Sequence, residues 1–443
     1  MGGDRRHGGL GPAILVAPAA RVEKFEVFFD LVFVVSFFII TRATATNVGG
    51  PQLLHAMLVL AVLWWCWVVH SMVAARLRLG EGFVPALMVV GMIALFTFAL
   101  ALPQTFDGGL RTVGGPILVT ISYVLFRAVH LVLYVHAIRG QPGARRQLLP
   151  LLPEMVITAV LLLFAALLPL KISDPHFGLR LRDGLWIAVV VVQYASGLLT
   201  GTRAWEVTSA EHWTERYDLI LIIALGESVI SVGVGGNLLG KPVTWAAIVA
   251  AMMGILFTAA LWWAHFDMIG PAARIALHGT QGPPRMAMAR DAYAYLYLPM
   301  VAGVILFAIG AEELVATITD PVGGLGERGR GSSVQLLFGG VMLYLAADLA
   351  FQLRTLGTVT WTRVGVLAAL AVGLFTGGLI PALGALSLLT VICVGLTVVE
   401  VVAFAESRNA LRQAVYEEKT RYETSEAAWR ARWHNGGPEQ PAR

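Results

Sequence analysis

Apolar residues run along this chain in long unbroken blocks, not in the one-sided stripes of a soluble helix or the alternation of a strand. A helix needs about 20 mostly apolar residues to cross a bilayer. On that measure the pattern predicts twelve spans. They fall near 22–42, 52–76, 83–102, 112–139, 149–171, 180–203, 213–236, 243–267, 285–314, 332–356, 361–380 and 383–406. Turn-forming residues mark the breaks, as at Gly49-Gly50-Pro51, Gly114-Gly115-Pro116, Pro142-Gly143 and Pro283-Pro284. The charged stretch from Glu406 to about Trp433 is rich in helix formers and predicts a helix continuing from the last span. Residues 435–443 read as disordered.

Composition agrees with this pattern. Of 443 residues, 57% are hydrophobic and 14% charged, where a soluble domain carries about 25% charged residues. The mean hydropathy of +0.73 excludes a soluble enzyme or a nucleic-acid-binding module. The polar, basic start leads straight into a run long enough to span, so no cleavable signal peptide is expected. Cys66 and Cys393 both lie inside apolar runs and allow neither a disulfide framework nor a cysteine metal site.

Lys and Arg set the orientation. With the N-terminus cytoplasmic, most of them fall on the cytoplasmic side, including Arg5, Arg6, Arg76, Arg145, Arg146, Arg216, Arg274, Arg354, Arg363 and the tail bases. Arg42, Arg111, Lys171, Arg180, Arg182, Lys241, Arg328 and Arg330 fall opposite. Both termini are therefore expected in the cytoplasm.

The chain also echoes itself. Trp64-Trp65 followed by Ala74-Ala75-Arg76 returns as Trp262-Trp263 followed by Ala272-Ala273-Arg274, at one offset of 198 residues (262 against 64). Glu23-Lys24-Phe25-Glu26 returns as Glu215-Arg216-Tyr217-Asp218, and Met88-Val89-Val90-Gly91 as Met300-Val301-Ala302-Gly303. Six spans per copy is an even number, so the two copies run parallel about an axis along the membrane normal. The expected fold is all-α: a polytopic membrane protein of about twelve helices in two parallel six-helix repeats. It divides into a cytoplasmic segment (1–21), a first repeat (22–206), a second repeat (207–406) and a charged cytoplasmic tail (407–443).

The segment Glu26-Val27-Phe28-Phe29-Asp30-Leu31-Val32-Phe33 resembles the opening signature of the bacterial low temperature requirement A family. So does Glu215-Arg216-Tyr217 leading to Leu225-Gly226-Glu227-Ser228-Val229. Further blocks at Trp64 to Arg76, Leu261 to Asp267 and Leu298 to Gly310 look similar, so the resemblance covers roughly residues 20–405. It implies a multi-span bacterial membrane protein, located in the inner membrane, without implying a settled activity. His265 and Asp348 depart from the family pattern. Separately, Phe28-Phe29-Asp30 is similar to the Phe-Ser-Asp of a potassium channel family with six-span units, without the serine hydroxyl.

Ionisable residues inside spans are costly, about 2.5–3.5 kcal/mol at the helix centre, and point to function. Glu23, Glu26 and Asp30 share one face of the first span. Asp30 lies too deep for a helix-end role and needs a partner such as Arg76, His70 or a cation. Glu227 sits mid-span where its counterpart in the other copy is Val35. Arg127 and His130 share a face of the fourth span, at the depth of Asp348 on the tenth, so Arg127 and Asp348 are candidates to face each other. His265 sits near a cytoplasmic end. Trp64, Trp65, Trp262 and Trp263 lie away from the interfacial belts. They are read as packing around the axis or as walls of an aromatic cavity.

Two functions follow. In the first, an ion or small solute moves along a path lined by Asp30, Arg127, His130, Glu227, His265 and Asp348. In the second, buried carboxylates among Glu26, Asp30, Asp218 and Glu227 act as general acid or base on a lipophilic, isoprenoid or lipid-like substrate. A scaffold or sensor working through the basic tail is a third. No phosphate loop, Gly-x-Ser-x-Gly or dinucleotide fingerprint is present, and no His-x-x-x-His or Glu-x-x-His pair suggests a metal site, so neither cofactor nor metal is expected. The expected partners are membrane lipid and a small ion or lipophilic molecule, with a homodimer left open and nucleic acid excluded.

Overall fold

The computed structural model describes residues 22–77, 82–106, 114–139, 148–202, 209–235, 244–319 and 331–434, with residues 79, 205, 207, 328 and 329 between them. The expected disorder of residues 435–443 and the segment 1–21 lie outside the described residues. The described chain is helical. The first half holds α1 (Lys24–Ala45), α2 (Gly50–Ala74), α3 (Val84–Phe106), α4 (Gly114–Ala137), α5 (Leu148–Leu167) and α6 (Pro175–Leu199). The second half holds α7 (Ala210–Gly235), α8 (Trp245–Phe266), α9 (Ile269–Gly279) and α10 (Gly282–Met288). After a π-helical turn at Ala289–Leu296 it continues with α11 (Tyr297–Thr319), α12 (Gly331–Leu356), α13 (Trp361–Thr376) and α14 (Ala382–Ala403). The charged tail is α15 (Ala405–His434).

Among the described residues, eleven helical stretches are long and apolar enough to cross a membrane. The twelfth expected span is α6, which has 25 residues but begins with Arg180, Arg182 and Asp183. The bundle receives two of those charges. Arg182 donates to the Thr105 carbonyl at 2.9 Å, and Asp183 meets His55 at 2.9 Å. At 1.5 Å per residue α6 is about 37 Å long, enough to span. Runs end where the local chemistry ends them. Thr244 caps α8 by accepting from the Ala247 amide, and Asp174 caps α6 by accepting from the His176 amide.

Six neighbour relations of the first half recur in the second. In the first, α1 packs on α2 and α3, α2 on α6, α3 on α4, α4 on α5, and α5 on α6. In the second, α7 packs on α8 and α11, α8 on α14, α11 on α12, α12 on α13, and α13 on α14. The halves meet chiefly where α1 touches α7 and α11. Helix α9 and the π-helical turn, by contrast, fall in the second half. The core between the halves is closely filled, and Phe29, Phe33, Phe37, Trp64, Trp67, Tyr217, Tyr293 and Tyr297 are all buried. Leu, Val, Ile and Phe side chains on the outward faces of α3, α5 and α8 stay exposed, as lipid-facing residues should.

The closest helix approach is α11 against α12. A Cβ on Gly303 would stand 2.6 Å from the Gly340 carbonyl oxygen and the Tyr344 amide, and one on Gly310 would stand 2.7 Å from the Leu337 amide. Backbone cannot yield there, and small residues at such an interface are what lets two membrane helices close on each other. Gly303→Ala is expected to destabilise by about 1–3 kcal/mol. Gly365→Ala, where a Cβ meets nothing within 4 Å, is expected to be neutral. Thermal unfolding in detergent reads both, and equal midpoints would remove the argument.

Candidate functional site

One cluster of buried charged side chains lies at the end where α1 and α7 begin. Asp30 sits about 9 Å into α1 and is completely buried. Arg216 of α7 grips it with two hydrogen bonds, 2.9 and 3.1 Å, and the Trp67 indole N–H of α2 donates to it at 3.0 Å. The Arg216 guanidinium lies over the Trp67 ring, 5.4 Å from its centroid. One turn earlier, Glu26 takes His212 Nε2 at 2.9 Å and lies 3.5 Å from Arg216 Nε. The head of α7 is set by Ser209, whose hydroxyl accepts from the His212 amide at 3.2 Å. Because α1 and α7 belong to different halves, this cluster straddles their joint.

A second network runs through the other half. The Tyr297 hydroxyl donates to Asp218 at 3.2 Å and meets His265 Nε2 at 2.9 Å. His265 Nδ1 meets Asp348 at 2.7 Å. Asp348 pairs with Arg363 of α13, which donates on to Glu400 of α14 at 2.7 and 2.9 Å and to the Ala264 carbonyl at 2.6 Å. With an oxygen at each ring nitrogen, His265 continues an unbroken hydrogen-bonded chain from Asp348 through Tyr297 to Asp218. Beside Arg363 and Glu400 opens a cavity of about 510 Å³, walled by Trp263, Trp361 and Phe404 and dotted with Thr358, Thr360 and Ser407.

Two further polar groups stay within the first half. Arg127 pairs with Glu154 of α5 and donates to the Tyr123 hydroxyl at 3.2 Å, which also takes Gln193 at 3.0 Å. His130 meets His70 at 3.2 Å, and Phe29 stacks on His70 with centroids 3.7 Å apart.

Several expectations change. Arg127 and Asp348 do not face each other, since each is taken by an acid or base of its own half. Asp30 finds neither Arg76 nor His70; its partner is Arg216, while Arg76 stacks on Tyr134. The four Trp residues do not wall one cavity. Trp64 is 1% exposed and donates to the Ala294 carbonyl of the π-helical turn at 2.7 Å, whereas Trp262 and Trp263 are 42% and 37% exposed. The chain-level likeness of the two Trp pairs hides opposite surroundings, one at the joint of the halves and one on the outer face. Sequence reasoning missed Arg363, Glu154, His212 and Tyr297 as site residues, and placed Arg216 among loop bases. Glu154 carried a usable signal, a charge inside an apolar run.

The molecule is thus a multi-pass helical membrane protein with ion pairs buried in its core. Residues 21–398 match the family described as bacterial low temperature requirement A protein (LtrA), and the chain belongs to that family. An uncharacterized protein of Rhizobium meliloti (strain 1021) is 27% identical over 303 residues, covering 66% of this chain and 69% of the relative. No solved structure matches.

Proposed function

We propose that the chain is a transporter or channel for an ion or small solute in a bacterial inner membrane. In this reading it is built of two parallel six-helix units, with both termini cytoplasmic. The recurring neighbour relations and the recurring sequence blocks support the two units, and the Lys and Arg bias supports the orientation. The reading rests on one observation, the Asp30–Arg216–Glu26–His212 cluster. A buried ion pair between α1 and α7 must break or trade partners whenever one unit moves against the other, so its occupancy and the movement are coupled. Arg127–Glu154, contained in one unit, acts as a fixed lock. Asp30, Glu227, His265 and Asp348 line the path.

Proteoliposomes test this. Carrying a pH-sensitive or sodium-sensitive dye, they are expected to dissipate an imposed proton or sodium gradient at least tenfold faster than empty vesicles. Asp30→Asn should remove most of that gain. Rates equal to those of empty vesicles under these gradients, and under a potassium gradient read the same way, overturn the reading. One observation favours the second reading, an intramembrane enzyme. A cavity of about 510 Å³ lined by aromatic and polar side chains is of a size that suits a small lipophilic substrate. Turnover of a membrane-lipid extract that is lost in Glu400→Gln, with no flux, would establish it.

A further inference from the structure

The far half of α7 holds a carboxylate that neither network uses. Glu227 is completely buried, 17 residues (227 against 210) beyond the start of its helix. Ser231 donates to its Oε1 at 2.6 Å, while its Oε2 has no hydrogen-bond partner. Among the described residues, no Lys, Arg or His pairs with it. Thr41 of α1, whose buried hydroxyl is also without a hydrogen-bond partner, and Glu312 of α11 both stand within electrostatic reach of the same carboxyl. Glu312 is also buried, and one of its oxygens is without a hydrogen-bond partner too. Its other oxygen takes Arg42, whose side chain is 51% exposed at the end where α1 and α11 finish.

The charges add up simply. Arg42 neutralises Glu312. Glu227, when ionised, then leaves one uncompensated negative charge in a buried core, a costly arrangement unless a counter-charge joins it. The surrounding groups are hard oxygens: two orphaned carboxylate oxygens and the hydroxyls of Thr41 and Ser231. Oxygen ligands select alkali and alkaline-earth cations over thiolate- or imidazole-seeking metals. A single net negative charge fits a monovalent ion and leaves a divalent one under-neutralised. We infer that Glu227, Glu312, Thr41 and Ser231 form a binding site for one dehydrated alkali cation, reached past Arg42.

The ligands come from α1 in one half and from α7 and α11 in the other. A bound cation therefore ties the two halves at the end opposite the Asp30–Arg216 cluster. The site names the solute class of the transport reading and rests on it for placing Glu227 on the path, while the binding itself is measurable without flux.

The test uses the purified full chain in detergent, with thermal unfolding followed in NaCl, KCl or N-methyl-D-glucamine chloride at constant ionic strength. A ligand that binds only the folded state raises Tm in a saturable way. Sodium or potassium is expected to raise Tm by several degrees against N-methyl-D-glucamine. Equilibrium binding of radioactive sodium (or rubidium, if potassium is preferred) should saturate at one ion per chain. Glu227→Gln and Thr41→Ala should abolish the response, and Glu312→Gln should weaken it at least tenfold. Asp30→Asn, at the other end of the bundle, should keep it.

A wild-type Tm indifferent to both cations overturns the site and leaves Glu227 as a protonated carboxyl. So does a response that survives in Glu227→Gln. Cation binding without flux overturns the transport reading and leaves the site standing. Flux without cation-dependent Tm does the reverse.

Discussion

Replacing Arg216 with Met is expected to cost about 3–5 kcal/mol of stability, the loss typical of stripping one partner from a buried ion pair. The side chain holds Asp30 by two hydrogen bonds and reaches Glu26, both of them buried. Met fills similar space along the Trp67 ring but supplies no charge, so two buried carboxylates lose their cation. His212 still faces Glu26, so Asp30 bears most of the cost. The double variant Arg216→Met with Asp30→Asn should recover a good part of the loss, because it removes the stranded charge along with its partner. Unfolding midpoints in detergent for the two singles and the double measure this. An Arg216→Met protein as stable as wild type would show that the pair is solvated and that the joint between the halves is open.

Arg363→Met is expected to be as damaging, by about 3–5 kcal/mol, for a different reason. Arg363 is shared by Asp348, Glu400 and the Ala264 carbonyl, and it ties α13 to α8, α12 and α14. Its loss leaves Asp348 facing only His265, and leaves Glu400 beside the cavity where water can reach it. The stability cost should therefore follow Asp348. Asp348→Asn should rescue Arg363→Met substantially, whereas Glu400→Gln should rescue it little. Equal rescue by the two would mean that Glu400 is as dry as Asp348.

Much of this was legible in the chain. Runs of about 20 apolar residues have one answer in a bilayer, since every backbone amide must be satisfied within its own segment. Eleven such helices appear among the described residues, with α6 as the twelfth by length. The charged tail from Glu406 reads as a helix and forms α15. Asp30 and Glu26 share a helix face by spacing alone, and both are buried on it.

The partners were not legible. Arg216 and Arg363 lie only a few residues inside their helices, where sequence shows loop bases that favour the cytoplasm. Burial converts them into the counter-ions of the core. Arg127 and Asp348 lie at similar depth in corresponding helices, yet depth says nothing about lateral distance, and each pairs within its own half. Trp64 and Trp262 occupy matching positions in matching sequence. Trp64 meets the π-helical turn of the other half, and Trp262 has no such neighbour and stays on the outer face.

The sequence by itself determined the class of molecule, its spans and its family, because hydropathy is set residue by residue along the chain. The tertiary structure alone decided which charges meet. A hydrogen bond over 2.7–3.1 Å depends on which helices touch, and helices distant in sequence touch according to their packing. That packing joined Asp30 to Arg216 and Asp348 to Arg363, and left Glu227 a buried acid without a counter-ion among the described residues.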